Sequence, residues 1–569
     1  MSAMDLRDED VWDSSIPHDR RTLWNGRFFP VEPDPKAFKH WLWTFRPEKA
    51  DDRLKKGWKN HPRCSLHEIL KQADSELFFI RREHLRALDL EGSLPRLFLH
   101  SSGFSAKEFG FILAVLEPEE RKNWLVSLFR SFLKQHQEKD ASGFDNLNQA
   151  RLLHTLGSAL ISEEPGQIMP ENFPQAIADL LSEEEREVFR SLDIPSFSLP
   201  LTQWAESLKE TAFSLLSRTI VVSRTQAFPP PANSLRSDEI IWSRSPVRLD
   251  LGGGWSDTPP YSLENGGCVI NAAVDLNGQA PIQVYARVIE EKEIRINSID
   301  HSSREVIRDL DGLTDYREPT SQFGLAKAAL ALSGFSLRTS TWPTNVRDLK
   351  GMLDVFGGGI ELTTLAAIPS GSGLGTSSIM GAVLLSAISR MIGRPLSRRE
   401  LFFRVLQLEQ ELTTGGGWQD QIGGVVDGVK MITSEAGLVP DPRIHYVPPD
   451  VLDPRFNGGL TLLYYTGLRR LAKNILKDVV GGYLDRDRRS AAVLRELHAF
   501  PPKMVAAMGA KDMEDFGRLI DRAWRLNKAL DPDSTTNAIE DILQTVKPHI
   551  FGAKLLGAGG GGFLLIVCR

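Results

Sequence analysis

The chain has 569 residues, 41% of them hydrophobic and 25% charged, with a formal charge of −6. The length calls for two to four domains, and the acidic balance excludes a broad nucleic-acid footprint. Three cysteines, Cys64, Cys268 and Cys568, exclude a disulfide framework and a zinc cluster, so a reducing cytoplasm fits best.

The first residues, Met-Ser-Ala-Met-Asp-Leu-Arg-Asp-Glu-Asp, lack the basic start and apolar run of a secretory signal. Apolar runs such as Phe109 to Leu116 stop well short of the ~20 residues a bilayer span needs. No membrane partner is expected. Five of the twelve tryptophans lie in the first sixty residues, which predicts a packed end. The basic stretch from Arg53 to Arg63 is expected to be a solvated loop.

Up to residue 225 the signals are helical. Ser105 and Glu108 form a capping box ahead of an apolar run, a helix is predicted over 119–135 after Pro118, and another over 203–222. Only eight of the 46 glycines precede position 230. The consecutive prolines after Phe228 read as a linker, placing a mainly helical domain at 1–225 and the linker at 226–238. Beyond it, short β-branched runs at 281–289 and 293–297 alternate with helices, an α+β pattern.

Three glycine-rich segments follow. The first, Ser245 to Pro260, is an apolar strand carrying Arg248 that runs into Gly252-Gly-Gly and then Asp257. The second, Pro369-Ser370-Gly371-Ser372-Gly373-Leu374-Gly375-Thr376-Ser377-Ser378, joins a predicted strand over 360–368 to a predicted helix over 379–388. Strand, glycine turn and helix N-terminus make an anion site, because unpaired N–H groups and the helix dipole favour negative charge. The spacing is neither Walker A nor Gly-x-Gly-x-x-Gly. The third runs from Lys554 through Gly557, Gly559, Gly560 and Gly561 into an apolar strand.

Between the second and third segments lies an acidic pair. Ser397 and Glu400 open a helix whose apolar arc holds Leu401, Val405, Leu408 and Leu412. At about 100° per residue, Glu409 falls on that arc and Glu411 away from it. An inward carboxylate needs a metal, an arginine or a proton as partner. Eleven residues on, after Thr413-Thr-Gly-Gly-Gly417, Asp420 starts the next element with its side chain free to enter a cleft.

In this order the segments resemble the GHMP kinases (galactokinase, homoserine, mevalonate and phosphomevalonate kinases) over about residues 240–569. Within them, Ser245 to Pro260, Leu412 to Gln421 and Leu463-Tyr-Tyr-Thr-Gly467 are most similar to the L-fucokinase module of bifunctional fucokinase/GDP-fucose pyrophosphorylases. The resemblance implies a two-lobed fold with a ribosomal protein S5-like lobe at 239–435 and a ferredoxin-like lobe at 436–569. It implies transfer from ATP, with Mg²⁺, to the anomeric hydroxyl of L-fucose, giving fucose 1-phosphate on the salvage route to GDP-fucose. Asp420 would be the catalytic aspartate, Arg248 the neutraliser of the attacking oxygen, Glu409 and Ser377 the magnesium ligands. Asp257, Gly417 and Tyr465 would bind the sugar. Residues 20–31 resemble the connector of the bifunctional enzymes, and residues 1–225 carry no glycine-rich nucleotidyltransferase signature. A heptose 7-phosphate kinase and a catalytically silent sugar or nucleotide sensor are the competing readings. The sequence sets no oligomeric state.

Overall fold

The computed structural model describes residues 4–72, 79–80, 82–86, 105–137, 143–161, 169–191, 194–222, 229–318, 320–337, 340–369, 371–412, 415–468 and 472–569. Ser370, Thr413, Thr414 and linker positions 226–228 lie outside them. The chain forms two compact units, Met1–Gly92 and Ser93–Arg569.

The first unit pairs two short strands, β1 (Phe29–Pro30) and β2 (Arg63–Cys64). Between them the basic stretch is a helix, Asp52–Asn60, rather than a loop. Asp51 caps it by accepting from the Leu54 N–H, and Trp58 anchors it, 2% exposed with the Arg63 guanidinium over its ring. Trp41 is also buried, whereas Trp24 is exposed.

The second unit opens with helices Ala106–Val115, Pro118–Gln137, Gly143–Leu160, Phe173–Ala178, Glu183–Ser191 and Leu201–Val222. The expected capping box is complete, with Ser105 and Glu108 each bonding the other's backbone N–H. Helices 143–160 and 201–222 pack along each other, and Phe129, Phe189 and Trp204 fill the space beside them.

Three antiparallel-rich sheets follow. A five-stranded sheet has the order β3 (Ile241–Ser245), β6 (Ile282–Ile289), β9 (Gly359–Ala366), β7 (Ile294–Ser298), β8 (Ser303–Ile307), with β7 and β9 parallel. A four-stranded sheet runs β11 (Arg443–Val447), β10 (Val429–Ser434), β5 (Gly267–Val274), β4 (Val247–Gly252). A third runs β12 (Thr461–Tyr465), β14 (Phe563–Cys568), β13 (Ile550–Leu555). The α+β expectation holds.

Helix Thr376–Met391 is apolar nearly all round, with twelve of its residues buried. It therefore sits in the core, packed against β3, β6 and the helices Arg398–Leu412 and Gln419–Val425. The helical stretch before residue 222 is tied to later helices and a turn by partly buried polar contacts. Arg151 donates twice to Glu264 (2.9 and 2.8 Å), His154 Nδ1 meets Asp485 at 2.8 Å, and Ser217 donates to the Gln410 carbonyl. Among the described residues no helix is long and apolar enough to cross a membrane.

Candidate active site

Strand β4 is buried along its whole length and carries Arg248 inward. Its guanidinium joins three parts of the chain. Nε and Nη2 reach Asp420 Oδ1 at 2.8 and 2.7 Å, and Nη1 donates to the Gly373 carbonyl at 2.6 Å. Burial alone would lower the Arg248 pKa, but the charges of Asp420 and Asp250 outweigh it and hold the group above its ordinary value.

The glycine loop runs from β9 to the helix at Thr376, as its sequence predicts. Gly371, Gly373 and Gly375 have φ of +70°, +76° and +74°, a region that costs other residues strain. Side chains would also collide here. A Cβ on Gly373 would strike the Leu556 carbonyl, and one on Gly375 would lie 3.1 Å from Arg248 Cγ. The third glycine segment braces this loop, the Phe563 N–H donating to the Ser372 carbonyl at 3.0 Å. The three segments, far apart in sequence, thus pack on one another.

Glu409 lies on the helix Arg398–Leu412, whose Leu401, Val405 and Leu408 are buried. The hydroxyl beside it is that of Ser378, which donates to Glu409 Oε1 at 2.5 Å. Ser377, the expected neighbour, lines the same cavity beside it. One residue of helix is a rotation of about 100°, enough to decide which serine faces Glu409. Burial pushes the Glu409 pKa up to about 7. The Ser378 and Arg248 contacts oppose the rise, and the charges of Asp420 and Asp257 add to it.

Asp257 is fully buried, accepts from the Gln419 N–H at 3.0 Å, and is likewise raised to about 7 by burial and the Asp420 charge. Gly416 and Gly417 allow this crowding, since a Cβ on either would collide with Glu409 Oε2 or Asp257 Oδ2 respectively. Arg248, Asp250, Asp257, Glu409, Gly417 and Asp420 line one cavity of about 250 Å³, with Gly557 on its far wall. Tyr465 is not among the lining residues. Its position on β12 sets it opposite Phe563, ring centroids 5.0 Å apart. Gly559 and Gly560 abut Ser534 rather than the cavity.

Residues 345–428 match the family model of the GHMP kinases N terminal domain, and residues 504–569 that of the GHMP kinases C terminal. Both GHMP kinase domain models thus match segments of the chain. Over 361 residues it is 42% identical to the L-fucokinase/L-fucose-1-P guanylyltransferase of Bacteroides fragilis, covering 63% of this chain and 38% of that protein. It is 27% identical to the bifunctional fucokinase/GDP-fucose pyrophosphorylase of Arabidopsis thaliana, over 99% of this chain and 50% of that one. A D-glycero-alpha-D-manno-heptose 7-phosphate kinase of Campylobacter jejuni is 26% identical over 57% of this chain and 88% of its own. The chain thus spans half or less of the two fucokinase relatives. The Arabidopsis likeness also extends through the helical stretch, well beyond the part from 240 onward that the motifs suggested.

The site also holds residues that the motifs alone did not single out. Asp250 stands two positions from Arg248 on β4, so the strand's period of two puts both on one face; that signal was present in the sequence. Lys554 Nζ donates to Asp250 Oδ2 at 2.6 Å and to its carbonyl at 2.9 Å. A second cavity, of about 290 Å³, lies on the other side of Ser377, lined by Phe323, Ala326, Met380 and Leu384 with Gln322 and Asp300. Its wall comes from four separated stretches of chain, which no local pattern reveals.

Proposed function

We propose that the chain is an ATP-dependent sugar kinase that phosphorylates the anomeric hydroxyl of L-fucose. The observation that carries this reading is the convergence of Arg248, Asp257, Glu409 and Asp420 on one cavity at the N-terminus of the helix after the glycine loop. The fucokinase names of two relatives support the sugar, and both GHMP kinase domains support the phosphoryl donor.

The cavity's charges support a divalent cation. Among the described residues, four carboxylates, Asp250, Asp257, Glu409 and Asp420, line the cavity with Arg248, and Lys554 holds Asp250 from behind. Burial, with the neighbouring carboxylate charges adding to it, pushes two of the four acids up to about 7. Among the described residues no three His, Cys, Asp or Glu side chains form a metal cluster. That suits an ion held by Glu409, a loop serine and phosphate oxygens, as kinase magnesium commonly is. Mg²⁺ there would screen the charge of the transferred group. Ser378, already on Glu409, is the better-placed hydroxyl, with Ser377 next to it.

Phosphoryl transfer asks mainly for positioning and charge stabilisation. Loop N–H groups at 371–378 would cradle the phosphates. Asp420 orients the attacking hydroxyl and accepts its proton, a late event in a loose transition state that a weak base can serve. Arg248 fixes Asp420 and offsets charge on the attacking oxygen. The apolar cavity beyond Ser377 would take the purine, and Asp257 would accept from a sugar hydroxyl. The first lobe would run from 239 through β11 rather than to 435, since β11 pairs with β10 in the four-stranded sheet, and the second would follow it to 569.

ADP release measured with L-fucose, D-arabinose, galactose and heptose phosphates tests the assignment. L-Fucose should give the highest kcat/KM. A preference for heptose 7-phosphate would replace the sugar, and ATP binding without turnover on any sugar would replace the enzyme with a sensor.

A further inference from the structure

Asp250 is 2% exposed and lines the reaction cavity between Arg248 and Asp257. One oxygen, Oδ2, is taken by Lys554, itself 1% exposed. The other, Oδ1, is buried and has no hydrogen-bond partner among the described residues. Two more acceptors lining the same cavity share that condition, Asp257 Oδ1 and Gln419 Oε1.

A buried carboxylate oxygen without a donor is costly to keep. Phosphate groups cannot relieve it, since they bring acceptors of their own. A metal has little claim on Asp250, whose charge Lys554 already balances. What these oxygens lack is a donor, and the ligand class that brings several donors on a small rigid frame is a polyol. The backbone fits closely beside this carboxylate at Gly254, where a Cβ would stand 3.1 Å from Asp250 Oδ2 and equally close to Gln419 Nε2.

Resting on the sugar-kinase reading, we propose that Asp250 is a specificity-determining residue whose Oδ1 accepts a hydrogen bond from one ring hydroxyl of the sugar. Lys554 is its positioning residue. With two donor contacts to Asp250, the ammonium fixes which oxygen points to the ligand. Asp250→Asn tests this sharply. Lys554 would keep the amide oxygen, so the NH₂ would replace Oδ1, and the hydroxyl would have to turn and accept a weaker, uncharged bond instead of donating to a carboxylate.

The experiment compares kcat/KM of wild type, D250N and G254A with L-fucose and its 2-, 3- and 4-deoxy analogues. Sugar binding is followed in parallel by the fluorescence of the cavity-lining Trp255. D250N should lower kcat/KM for L-fucose about 10- to 100-fold, mostly through the sugar KM. That deficit should shrink to within about 2-fold for the one analogue lacking the hydroxyl that is read. G254A keeps Asp250 and Lys554 intact and should raise the sugar KM while leaving the ATP KM unchanged. A D250N deficit equal on L-fucose and all three analogues, with normal wild-type turnover, would overturn the assignment and leave Asp250 a partner for Lys554 only. Absence of wild-type turnover on every sugar would instead remove the kinase reading, and this proposal with it.

Discussion

The two cavities on either side of Ser377 are close in size, about 250 and 290 Å³, and differ in the charge they carry. One gathers four carboxylates and Arg248 in a space so dry that two of the acids sit near 7. The other is walled by Phe323, Ala326, Met380 and Leu384. A helix N-terminus between a charged chamber and an apolar one separates the tasks of reacting and gripping. Changes in the first should therefore act on kcat or on the sugar, and changes in the second on the nucleotide alone.

The largest effect is expected at Asp420. Asp420→Asn should lower kcat by about 10³-fold or more, within the range general-base removal produces, while nucleotide affinity stays near normal. The amide oxygen can still accept from Arg248, so the loop contact of Arg248 with Gly373 should survive. Single-turnover kinetics and ATP titration separate the two quantities. Turnover within about 10-fold of wild type would take Asp420 out of the chemistry.

Glu409 comes next. Glu409→Gln should cost about 10²-fold in kcat and shift the Mg²⁺ requirement upward. It should also stabilise the ligand-free protein at neutral pH. The Glu409 pKa rises from the ordinary carboxylate range to about 7 on folding. Between those values the unfolded chain has released a proton that the folded chain keeps, so stability falls as pH rises through the window and stays low above it. The Tm of E409Q should therefore match wild type at about pH 4 and exceed it at pH 8. Asp257, shifted the same way, leaves part of the slope in place. A wild-type Tm above that of E409Q at pH 8 would mean that Glu409 has found a cationic partner.

These two residues were legible because their signals are local. Glu409 interrupts an apolar arc of period 3.6, and Asp420 follows a run of glycines that ends a helix. The loop was legible for the same reason, positive φ at Gly371, Gly373 and Gly375 being written as glycine. What escaped depends on distance. Lys554 meets Asp250 across 304 positions, Arg151 meets Glu264 across 113, and Ser217 reaches Gln410 across 193. Tyr465, expected at the sugar, lies on β12 with its ring against Phe563. Both loop serines were expected as hydroxyl ligands, and helical phase sets Ser378 on Glu409.

The apolar cavity gives the smallest effect and the sharpest contrast. Ala326 is 3% exposed on the buried helix Gly324–Leu332, so a larger side chain there has no outlet except into the cavity. Ala326→Leu adds three carbons, a small fraction of about 290 Å³ but placed where a planar base would lie. It should raise the ATP KM about 5- to 10-fold, with kcat at saturating ATP and the sugar KM within about 2-fold of wild type. That is the pattern of lost uniform binding rather than lost transition-state stabilisation. A fall in kcat at saturating ATP would show that the wall at Ser377 transmits strain to Glu409 and Asp420, and that the two chambers are one site mechanically. An unchanged ATP KM would put the purine elsewhere, leaving the cavity as packing space beneath β7 and β9.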